Sequence, residues 1–425
     1  MPTPVTFSEW LALIESRHPA GSDGIELGLD RVADVAARLA IDLPPTVFLV
    51  GGTNGKGSVC AMIDAILRSA GYRVGRYSSP HLLRYNERVR INDRPVDDNE
   101  LIAAFADVER ARNTTPLTYF EFGTLAAAVV FSRQALDAVV LEVGLGGRLD
   151  ATNVFAPSCT VLTMIALDHQ QFLGNTREAI GYEKAGIFRP GVPAICGDAC
   201  PPHSVLAQAQ AVGTPLRVLG RDFGYQRFDR QWSYWCGDTR RGGLALPALG
   251  GDYQIANAAC AMAAVDSQSA KLPVAMRDYR QGLLNVELAG RFQVLPGKPT
   301  IVLDVAHNPQ AAGALAQNLG NMAFHRTTWA VFGMMGDKDI DGVIAALGNK
   351  VDRWAICSLP GARAAPVQLL REHLIAHGQT VESDHASIAS ALQDVLGRAD
   401  EADRILIFGS FLAVAGALQH LKRPA

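Results

Sequence analysis

A glycine-rich turn between two apolar segments constrains the fold of this chain more than any other feature of its sequence. The stretch VFLVGGTNGKGSVCAMIDAIL, residues 47–67, begins with β-forming apolar residues and continues with apolar residues at helical spacing. In a strand, glycine-rich turn and helix of this kind, the N–H groups at the start of the helix attract an anion. Lys56 adds a positive charge inside the turn. The stretch therefore predicts an α/β fold with a phosphate-binding loop.

The order of residues in this turn differs from the common nucleotide-binding pattern. That pattern, G-x-x-x-x-G-K-[ST], places a hydroxyl directly after the lysine, where it reaches a magnesium ion. Here Gly57 separates Lys56 from Ser58, and Val50 stands where the first glycine is expected. The turn is either a related nucleotide loop or a turn that binds nothing, and a lysine and a hydroxyl within it favour the loop. The predicted nucleotide contacts are Thr53, Asn54, Gly55, Lys56, Gly57 and Ser58.

Composition narrows the class of protein. A chain of 425 residues with 48% hydrophobic and 19% charged residues is expected to form two packed domains. A net charge of −3 gives no basic excess for nucleic acid, so any phosphate binding should be local, through loops and helix starts. We expect a monomer whose partners are small molecules. The N-terminus lacks a signal-peptide pattern and no apolar run is long enough for a membrane span. With seven scattered cysteines, these features predict a cytoplasmic protein with no membrane partner.

Short β-rich runs alternate with helical patterns along most of the chain, which favours parallel strands joined by crossover helices. We predict a larger N-terminal P-loop domain over residues 1–289, with a mostly parallel sheet. Residues 215–251 alternate and are rich in aromatic residues and arginine, which indicates a small antiparallel sheet. A linker at 290–299 would lead to a smaller, doubly wound α/β domain at 300–425.

Further motifs follow the turn in a fixed order: YSSPHLLRYNERVRIN, EVGLGGRLDATN, IALDHQQFLG, YEKAGIFRPG, AGRFQ and LDVAHNP. With GTNGKGS, they resemble the Mur ligase superfamily of ATP-dependent amide-forming ligases, and within it the folylpolyglutamate synthase and dihydrofolate synthase family. The similarity extends from about Leu27 to Ser410. Only 50 residues precede Gly51, too few for the nucleotide-sugar domain that the peptidoglycan ligases carry before this loop.

The resemblance implies that glutamate is joined to the carboxylate of dihydropteroate, and further glutamates to folates, through an acyl phosphate with ATP and Mg²⁺. The segment TYFEF resembles the form of the family that also accepts dihydropteroate, which favours a bifunctional enzyme. Two alternatives stay open: another Mur-type amino-acid ligase, or a P-loop ATPase switch. A switch needs an element that faces a partner, and no tail, coiled coil or basic surface is evident in the sequence.

Candidate metal ligands follow from chemistry and from the resemblance. Glu142 ends a buried strand, where ligands bind in open α/β sheets, and magnesium prefers oxygen ligands. The resemblance adds Ser79, His169 and Lys184. An ammonium beside magnesium would repel it, whereas a buried lysine has a lowered pKa and its neutral amine can react with carbon dioxide. The resemblance implies a carbamylated Lys184; a helix-surface lysine paired with Glu183 or Glu178 is the alternative.

The remaining assignments come from the resemblance. It places ATP between the domains, with contacts from Asn257, Arg291 and Asp304, and glutamate near His307 and Ser410. Lys56, Lys184 and His307 are the predicted catalytic residues. An aromatic pair such as Phe120 and Phe122 suits stacking on a pteridine, or equally a hydrophobic core. The predicted pteroate contacts are Glu26, Leu27, Gly28, Leu29, Thr118, Tyr119, Phe120, Glu121 and Leu149.

One further pair of histidines has a spacing compatible with zinc. His373 and His377 are four residues apart on a predicted helix. The glutamate precedes the first histidine, unlike the H-E-x-x-H pattern, so a solvated helix face is predicted instead.

Overall fold

The computed structural model describes residues 4–18 and 25–421, which form two compact units. The larger unit comprises the chain up to His81, Tyr85–Ala248 and Ile255–Val286. The smaller unit comprises Leu82–Arg84, Leu249–Gln254 and the chain from Glu287 onward. The change of unit near residue 287 lies close to the predicted linker, whereas the two short segments of the smaller unit carry no compositional signal in the sequence.

An eight-stranded sheet forms the centre of the larger unit, in the order β4-β3-β2-β5-β1-β6-β7-β8. The strands from β2 to β8 in this order pair in parallel, and β3 and β4 extend the sheet antiparallel at one edge. The four strands at the middle are buried along their full length, as expected when helices cover both faces. The strands are β1 (Val47–Gly51), β2 (Val74–Tyr77), β3 (Val89–Ile91), β4 (Arg94–Pro95), β5 (Ala138–Glu142), β6 (Cys159–Leu162), β7 (Ala194–Cys196) and β8 (Leu216–Val218).

Helices surround this sheet and supply its hydrophobic cores. On one side, apolar residues of the first, second, fourth and fifth helices pack together, with Trp10 and Phe105 fully buried. The helices are α1 (Phe7–Ser16), α2 (Asp30–Leu39), α3 (Lys56–Ser69), α4 (Asp98–Arg112), α5 (Tyr119–Ser132), α6 (Gln170–Leu173), α7 (Arg177–Ala185), α8 (His203–Val212), α9 (Tyr253–Asp266) and α10 (Met276–Asn285). Short 3₁₀ helices occupy Tyr85–Arg88 and Ala151–Val154.

A three-stranded antiparallel sheet, β9 (Phe223–Arg227), β10 (Gln231–Cys236) and β11 (Thr239–Ala245), adjoins these helices. Asp266 at the end of α9 anchors it, because its carboxylate accepts hydrogen bonds from Tyr234 (3.1 Å), Tyr279 (2.5 Å) and Arg241 (2.6 and 2.8 Å). The predicted antiparallel segment began too early. Residues 216–218 pair in parallel with β7, so they complete the main sheet.

The smaller unit has a six-stranded sheet in the order β12-β13-β17-β14-β15-β16, in which β12 is antiparallel to its neighbour and the other pairs are parallel. The strands are β12 (Gln293–Leu295), β13 (Thr300–Leu303), β14 (Thr328–Phe332), β15 (Arg353–Cys357), β16 (Val381–His385) and β17 (Arg404–Phe408). The helices are α11 (Pro309–Asn321), α12 (Ile340–Leu347), α13 (Val367–Ala376), α14 (Ile388–Arg398) and α15 (Phe411–Leu421), with a 3₁₀ turn at Gly348–Lys350. Strand β12 lies within the residues predicted as a linker.

Helices cover both faces of this smaller sheet, as a doubly wound fold requires. Buried residues of α11, α12 and α13 form one core and those of α14 and α15 form the other. The predicted fold class is confirmed: a larger unit with a mostly parallel sheet plus a small antiparallel sheet, and a smaller doubly wound α/β unit. Within the described part of the chain, no helix has the length and apolar character needed to cross a membrane.

We predict that Gly282→Ala destabilises the larger unit. A Cβ at position 282 in α10 would lie 2.6 Å from the Cα and 2.7 Å from the N atom of Ile66 in α3, and backbone atoms cannot move aside easily. Overpacking of this kind costs about 1–3 kcal/mol, measurable as a lower midpoint of chemical unfolding. Gly397→Ala is the matched control, because its Cβ meets nothing within 4 Å. Equal midpoints for both variants would contradict this account of the α3–α10 packing.

Candidate active site

The predicted phosphate loop has the geometry that an anion site needs. Strand β1 ends at Gly51, and α3 begins at Lys56 after Gly55, which has a φ of 91° and no side chain that could cap the helix. No side chain caps the start of α3. The first N–H groups of the helix attract an anion, and the helix dipole adds to this attraction. A Cβ at Gly55 would lie 2.6 Å from Oδ1 of Asn257. Asn257, the predicted nucleotide contact in α9, therefore lies directly against the loop.

The loop is fixed to the segment that follows β6. The Thr53 N–H donates to the Met164 carbonyl (2.7 Å), and the Thr53 hydroxyl donates to the Ala166 carbonyl (3.1 Å) and accepts from its N–H (3.0 Å). Gly52 has a φ of 136°, and a Cβ there would lie 1.8 Å from the hydroxyl oxygen of Thr163. These contacts hold the loop in one conformation before any ligand binds.

Two lysines converge on one carbonyl of this loop. Nζ of Lys56 donates to the carbonyls of Gly52 (3.1 Å) and Thr53 (3.2 Å), and Nζ of Lys184 donates to Gly52 at 2.9 Å. The side chain of Lys184 is buried. Burial, together with the charge of Lys56, lowers the pKa of Lys184 to about 7, while Asp168 and Asp150 act in the opposite direction. A large share of Lys184 is therefore a neutral amine near neutral pH.

The alternative position for Lys184, on a helix surface paired with an acidic neighbour, is wrong. Glu183 pairs with Arg148 at 2.9 Å, and Glu178 accepts hydrogen bonds from the N–H groups of His203 and Ser204. Lys184 itself is only 5% exposed and points to the phosphate loop.

Two of the predicted metal ligands lie side by side at the carboxyl edge of the main sheet. Glu142 is the last residue of β5, and Ser79 follows the neighbouring strand β2. The Ser79 N–H donates to Oε2 of Glu142 at 3.2 Å, and the carboxylate is buried. Their carboxylate and hydroxyl oxygens match the ligands that magnesium prefers, so the residues present fit a magnesium ion.

The third candidate, His169, precedes α6 with a φ of 51°. Its Nε2 lies 3.9 Å from Asp168, the carboxylate whose charge also acts on Lys184. Among residues 4–18 and 25–421, no group of three or more His, Cys, Asp or Glu side chains is arranged to hold a metal ion. A magnesium ion here would therefore need oxygen ligands beyond the unmodified side chains of those types, from a hydroxyl, a phosphate or a carbamate.

Four of the predicted pteroate contacts, Thr118, Tyr119, Phe120 and Glu121, form the start of α5. Thr118 caps the helix in a reciprocal capping box with Glu121. The half-buried Phe120 ring lies 6.0 Å from Tyr77 between ring centroids, and a Cβ at Gly144 would lie 2.5 Å from it. Phe122 is fully buried in the core, so stacking is excluded for that ring. Tyr119 and Leu149 are half-buried, and Glu26, just before α2, is 59% exposed.

The sequence did not reveal Arg31, which joins the segment before α2 to the start of α5. Arg31, in the first turn of α2, forms ion pairs with both Glu26 and Glu121. No motif marks this arginine, because its two partners lie far apart in the sequence.

The remaining predicted contacts come together in the smaller unit. Asp304 accepts hydrogen bonds from the N–H groups of Phe292 (2.8 Å) and Ala306 (2.7 Å), and burial raises its pKa. Arg291 stacks over Phe411 with its guanidinium carbon 5.0 Å from the ring centroid. The ring centroid of His307 lies 6.2 Å from that of Phe411, and its Nδ1 lies 2.8 Å from the Val305 carbonyl oxygen. The hydroxyl of Ser410 accepts a hydrogen bond from the Leu412 N–H.

Phe411 was not predicted, although it directly follows Ser410 in the motif FGSFLAVA. Of the two histidines with a zinc-compatible spacing, His373 lies in α13 and His377 directly follows its last residue. His373 and His377 both contact Asp341, at 2.7 and 3.1 Å, on a solvated surface, in agreement with the sequence interpretation.

Comparison with known proteins agrees with this geometry. Residues 50–196 match the Mur ligase middle domain and residues 290–411 match the Mur ligase glutamate ligase domain, so the fold and the loop define a Mur ligase. The dihydrofolate synthase/folylpolyglutamate synthase of Escherichia coli (strain K12) is 42% identical over 97% of this chain and 94% of its own length. The chain belongs to the dihydrofolate synthase/folylpolyglutamate synthase family.

Two solved structures resemble the chain over nearly its full length. Escherichia coli FolC in complex with DHPP and ADP has a TM-score of 0.93 and 41% identity, covering 99% of both chains. A bifunctional folylpolyglutamate synthase/dihydrofolate synthase with Mn, AMPPNP and L-glutamate bound has a TM-score of 0.91 and 42% identity, covering 99% of this chain and 100% of its own. The family resemblance inferred from the ordered motifs is confirmed.

We predict that Lys184 makes the stability of the metal-free protein depend on pH. The unfolded chain keeps the Lys184 proton up to the ordinary lysine pKa of 10.5, whereas the folded chain, with a pKa lowered by burial, releases it near 7. The free energy of unfolding should therefore rise with pH between these values, by at most about 1.4 kcal/mol per pH unit from this group. Chemical unfolding in buffer free of carbon dioxide should show a smaller slope in Lys184→Met and an unchanged slope in the exposed control Lys271→Met. Equal slopes in all three proteins would refute the lowered pKa.

Proposed function

We propose that this chain is an ATP-dependent ligase that joins glutamate to the carboxylate of dihydropteroate and adds further glutamates to folates. The observation that carries the proposal is the loop at Gly52, where Lys56 and Lys184 share one carbonyl. Glu142 and Ser79 lie at the same carboxyl edge of the sheet. Lys56 and the first N–H groups of α3 concentrate positive charge at a helix start, which suits phosphoryl transfer. The family to which the chain belongs supplies the substrate class.

The reaction proceeds in two balanced steps. The pteroate or folate carboxylate attacks the γ-phosphorus of ATP, which gives an acyl phosphate and ADP. The amine of glutamate then attacks the acyl carbon, which forms the amide and releases phosphate and a proton. Lys56 and the first N–H groups of α3 stabilise the charge on the transferred phosphoryl group. Because Thr53 is already fixed to the segment after β6, this stabilisation needs little reorganisation.

Ser79, Glu142, His169 and a carbamylated Lys184 are the residues that would hold magnesium. When bound, the ion neutralises charge on the transferring phosphoryl group. The burial of Lys184 and the lowered pKa of its amine support carbamylation, because only the neutral amine reacts with carbon dioxide.

The other roles are assigned in the same way. We assign nucleotide contacts to Thr53, Asn54, Gly55, Gly57, Ser58, Asn257, Arg291 and Asp304, and glutamate contacts to His307 and Ser410. Pteroate contacts are assigned to Glu26, Leu27, Gly28, Leu29, Thr118, Tyr119, Phe120, Glu121 and Leu149. In this scheme, residues 1–289 bind pteroate and supply the nucleotide contacts other than Arg291 and Asp304, and residues 300–425 bind glutamate.

We further propose that the enzyme acts as a monomer in the cytoplasm and needs no nucleic-acid or membrane partner. The seven cysteines are all free thiols, and most of them are buried, which suits a reducing compartment.

The proposal is tested by ADP release with dihydropteroate and tetrahydrofolate offered separately. We expect ADP only when one of these acceptors and glutamate are both present. Lys56→Ala should reduce the rate by about 100-fold or more while keeping the unfolding midpoint, since this lysine serves the phosphate. Rapid ATP hydrolysis without acceptor or glutamate would favour the ATPase switch. Release with neither folate acceptor, but with another carboxylate and amino acid, would indicate a different Mur-type ligase.

Phe120→Ala should weaken dihydropteroate use more than ATP use. The half-buried ring at the start of α5 offers a stacking surface to a pteridine and none to the phosphate loop. Steady-state kinetics should give an increase in KM for dihydropteroate of about tenfold, with KM for ATP nearly unchanged. Phe228→Ala is the control, because Phe228 is 52% exposed in the turn between β9 and β10. Equal changes for both substrates would count against a pteridine pocket at Phe120.

Carbamylation of Lys184 can be detected directly. We expect protein equilibrated with carbon-13 bicarbonate and magnesium at about pH 8 to show one carbamate carbon signal, because the lowered pKa leaves the amine largely neutral there. Lys184→Gln should lack the signal, and Lys271→Gln should keep it. Crystals grown with magnesium and nucleotide whose density ends at an unmodified Lys184 amine would overturn the assignment.

A further inference from the structure

The segment before α2 reaches the predicted pteroate pocket without regular structure of its own. We call residues 25–29 the strap; they contain four of the predicted pteroate contacts and have no helix or strand assignment up to Gly28. We propose that Arg31 is a positioning residue that fixes the strap against the start of α5 and thereby shapes the pteroate pocket. The inference rests on the proposed function and adds a residue to which no role has been assigned.

The first arm of Arg31 holds α5. Its Nε donates to Oε2 of Glu121 at 2.9 Å and its Nη2 lies 2.8 Å from Oε1, which is a bidentate pair. Oε2 of Glu121 also accepts the N–H of Thr118 at 2.8 Å. Both oxygens of this buried carboxylate are thus engaged within the protein. Glu121 therefore contributes to the pocket by holding Arg31 and Thr118 in place.

The second arm of Arg31 holds the strap. Its Nη1 lies 2.5 Å from Oε1 of Glu26, and its Nη2 donates to the Glu26 backbone carbonyl. The other carboxylate oxygen of Glu26 lies 3.0 Å from Nε2 of His18, two residues after the end of α1. One guanidinium therefore ties both the side chain and the backbone of the strap to α5.

The fold itself has other anchors at these places. Val32 and Val35 bury the inner face of α2, and the capping box between Thr118 and Glu121 closes the start of α5. Removal of Arg31 therefore leaves the helices in place but takes the shared cation away from two carboxylates. Like charges without a common partner repel each other, so the strap should move away from α5.

The first experiment compares steady-state kinetics of the full-length wild type and Arg31→Ala. KM for dihydropteroate should rise by about 10-fold to 100-fold, because a displaced binding segment misplaces the substrate, while KM for ATP stays within about twofold. Arg31→Lys should recover only part of the loss, since an ammonium cannot make the bidentate pair. Arg38→Ala is the matched control: it removes an arginine of the same helix that pairs with Asp34 and should leave both KM values unchanged.

The second experiment separates positioning from general stability. Glu26→Gln keeps Glu121 paired and weakens the contacts of Glu26 with Arg31 and His18. It should also raise KM for dihydropteroate, and its effect should not add to that of Arg31→Ala. Hydrogen exchange of the peptide covering residues 25–29 in the unliganded protein should speed up in Arg31→Ala and in Glu26→Gln, but not in Arg38→Ala.

The outcomes distinguish this inference from the proposed function. If the wild type does not ligate glutamate to dihydropteroate or folates, the proposed function fails. If the wild type is active, the positioning role is overturned by an unchanged KM for dihydropteroate in Arg31→Ala, or by KM values for dihydropteroate and ATP that rise together. If Arg31→Ala does not fold, Glu26→Gln and Arg31→Lys are compared instead. The positioning role is then overturned if Glu26→Gln changes neither KM nor exchange, or if its effects add to those of Arg31→Lys.

Discussion

The carbonyl of Gly52, which accepts hydrogen bonds from both Lys56 and Lys184, is the contact on which the site depends. It holds the two amines close together: burial lowers the pKa of Lys184, and the charge of Lys56 lowers it further. A pair of cations held in this way is at its most stable when an anion lies between them or when one of them loses its charge. Phosphate binding and the neutral amine of Lys184 are therefore two responses to one electrostatic constraint.

The main sheet positions the other residues of the site. Strands β1, β2, β5 and β6 are neighbours and run in parallel, so the segments that follow them leave from one edge. Those segments supply the phosphate loop, Ser79, Glu142 and the carbonyls of Met164 and Ala166 that hold Thr53. Residues from four distant parts of the sequence therefore meet at the carboxyl edge of the sheet, which is where open α/β sheets bind their ligands.

Much of this could be read from the sequence because it depends on local pattern. The loop, the buried strands β1 and β5 and the position of Glu142 at a strand end follow from apolar runs and glycines. Arg31 and Phe411 could not be found in this way, because their roles arise from tertiary contacts with Glu121 and Arg291. The sequence also did not reveal that β8 belongs to the main sheet. A strand of three residues is too short to show a pattern that separates it from the antiparallel segment that follows.

The short segment Leu82–Arg84 belongs to the smaller unit, although Tyr85–Ala248 of the larger unit separates it in sequence from the rest of that unit. Leu82 and Leu83 pack against the core formed by α14, α15 and the adjoining face of the sheet. The smaller unit is therefore not a module that can be cut out at one boundary. During synthesis these leucines emerge long before the core that receives them, so that core reaches its final packing only after almost the whole chain has been made.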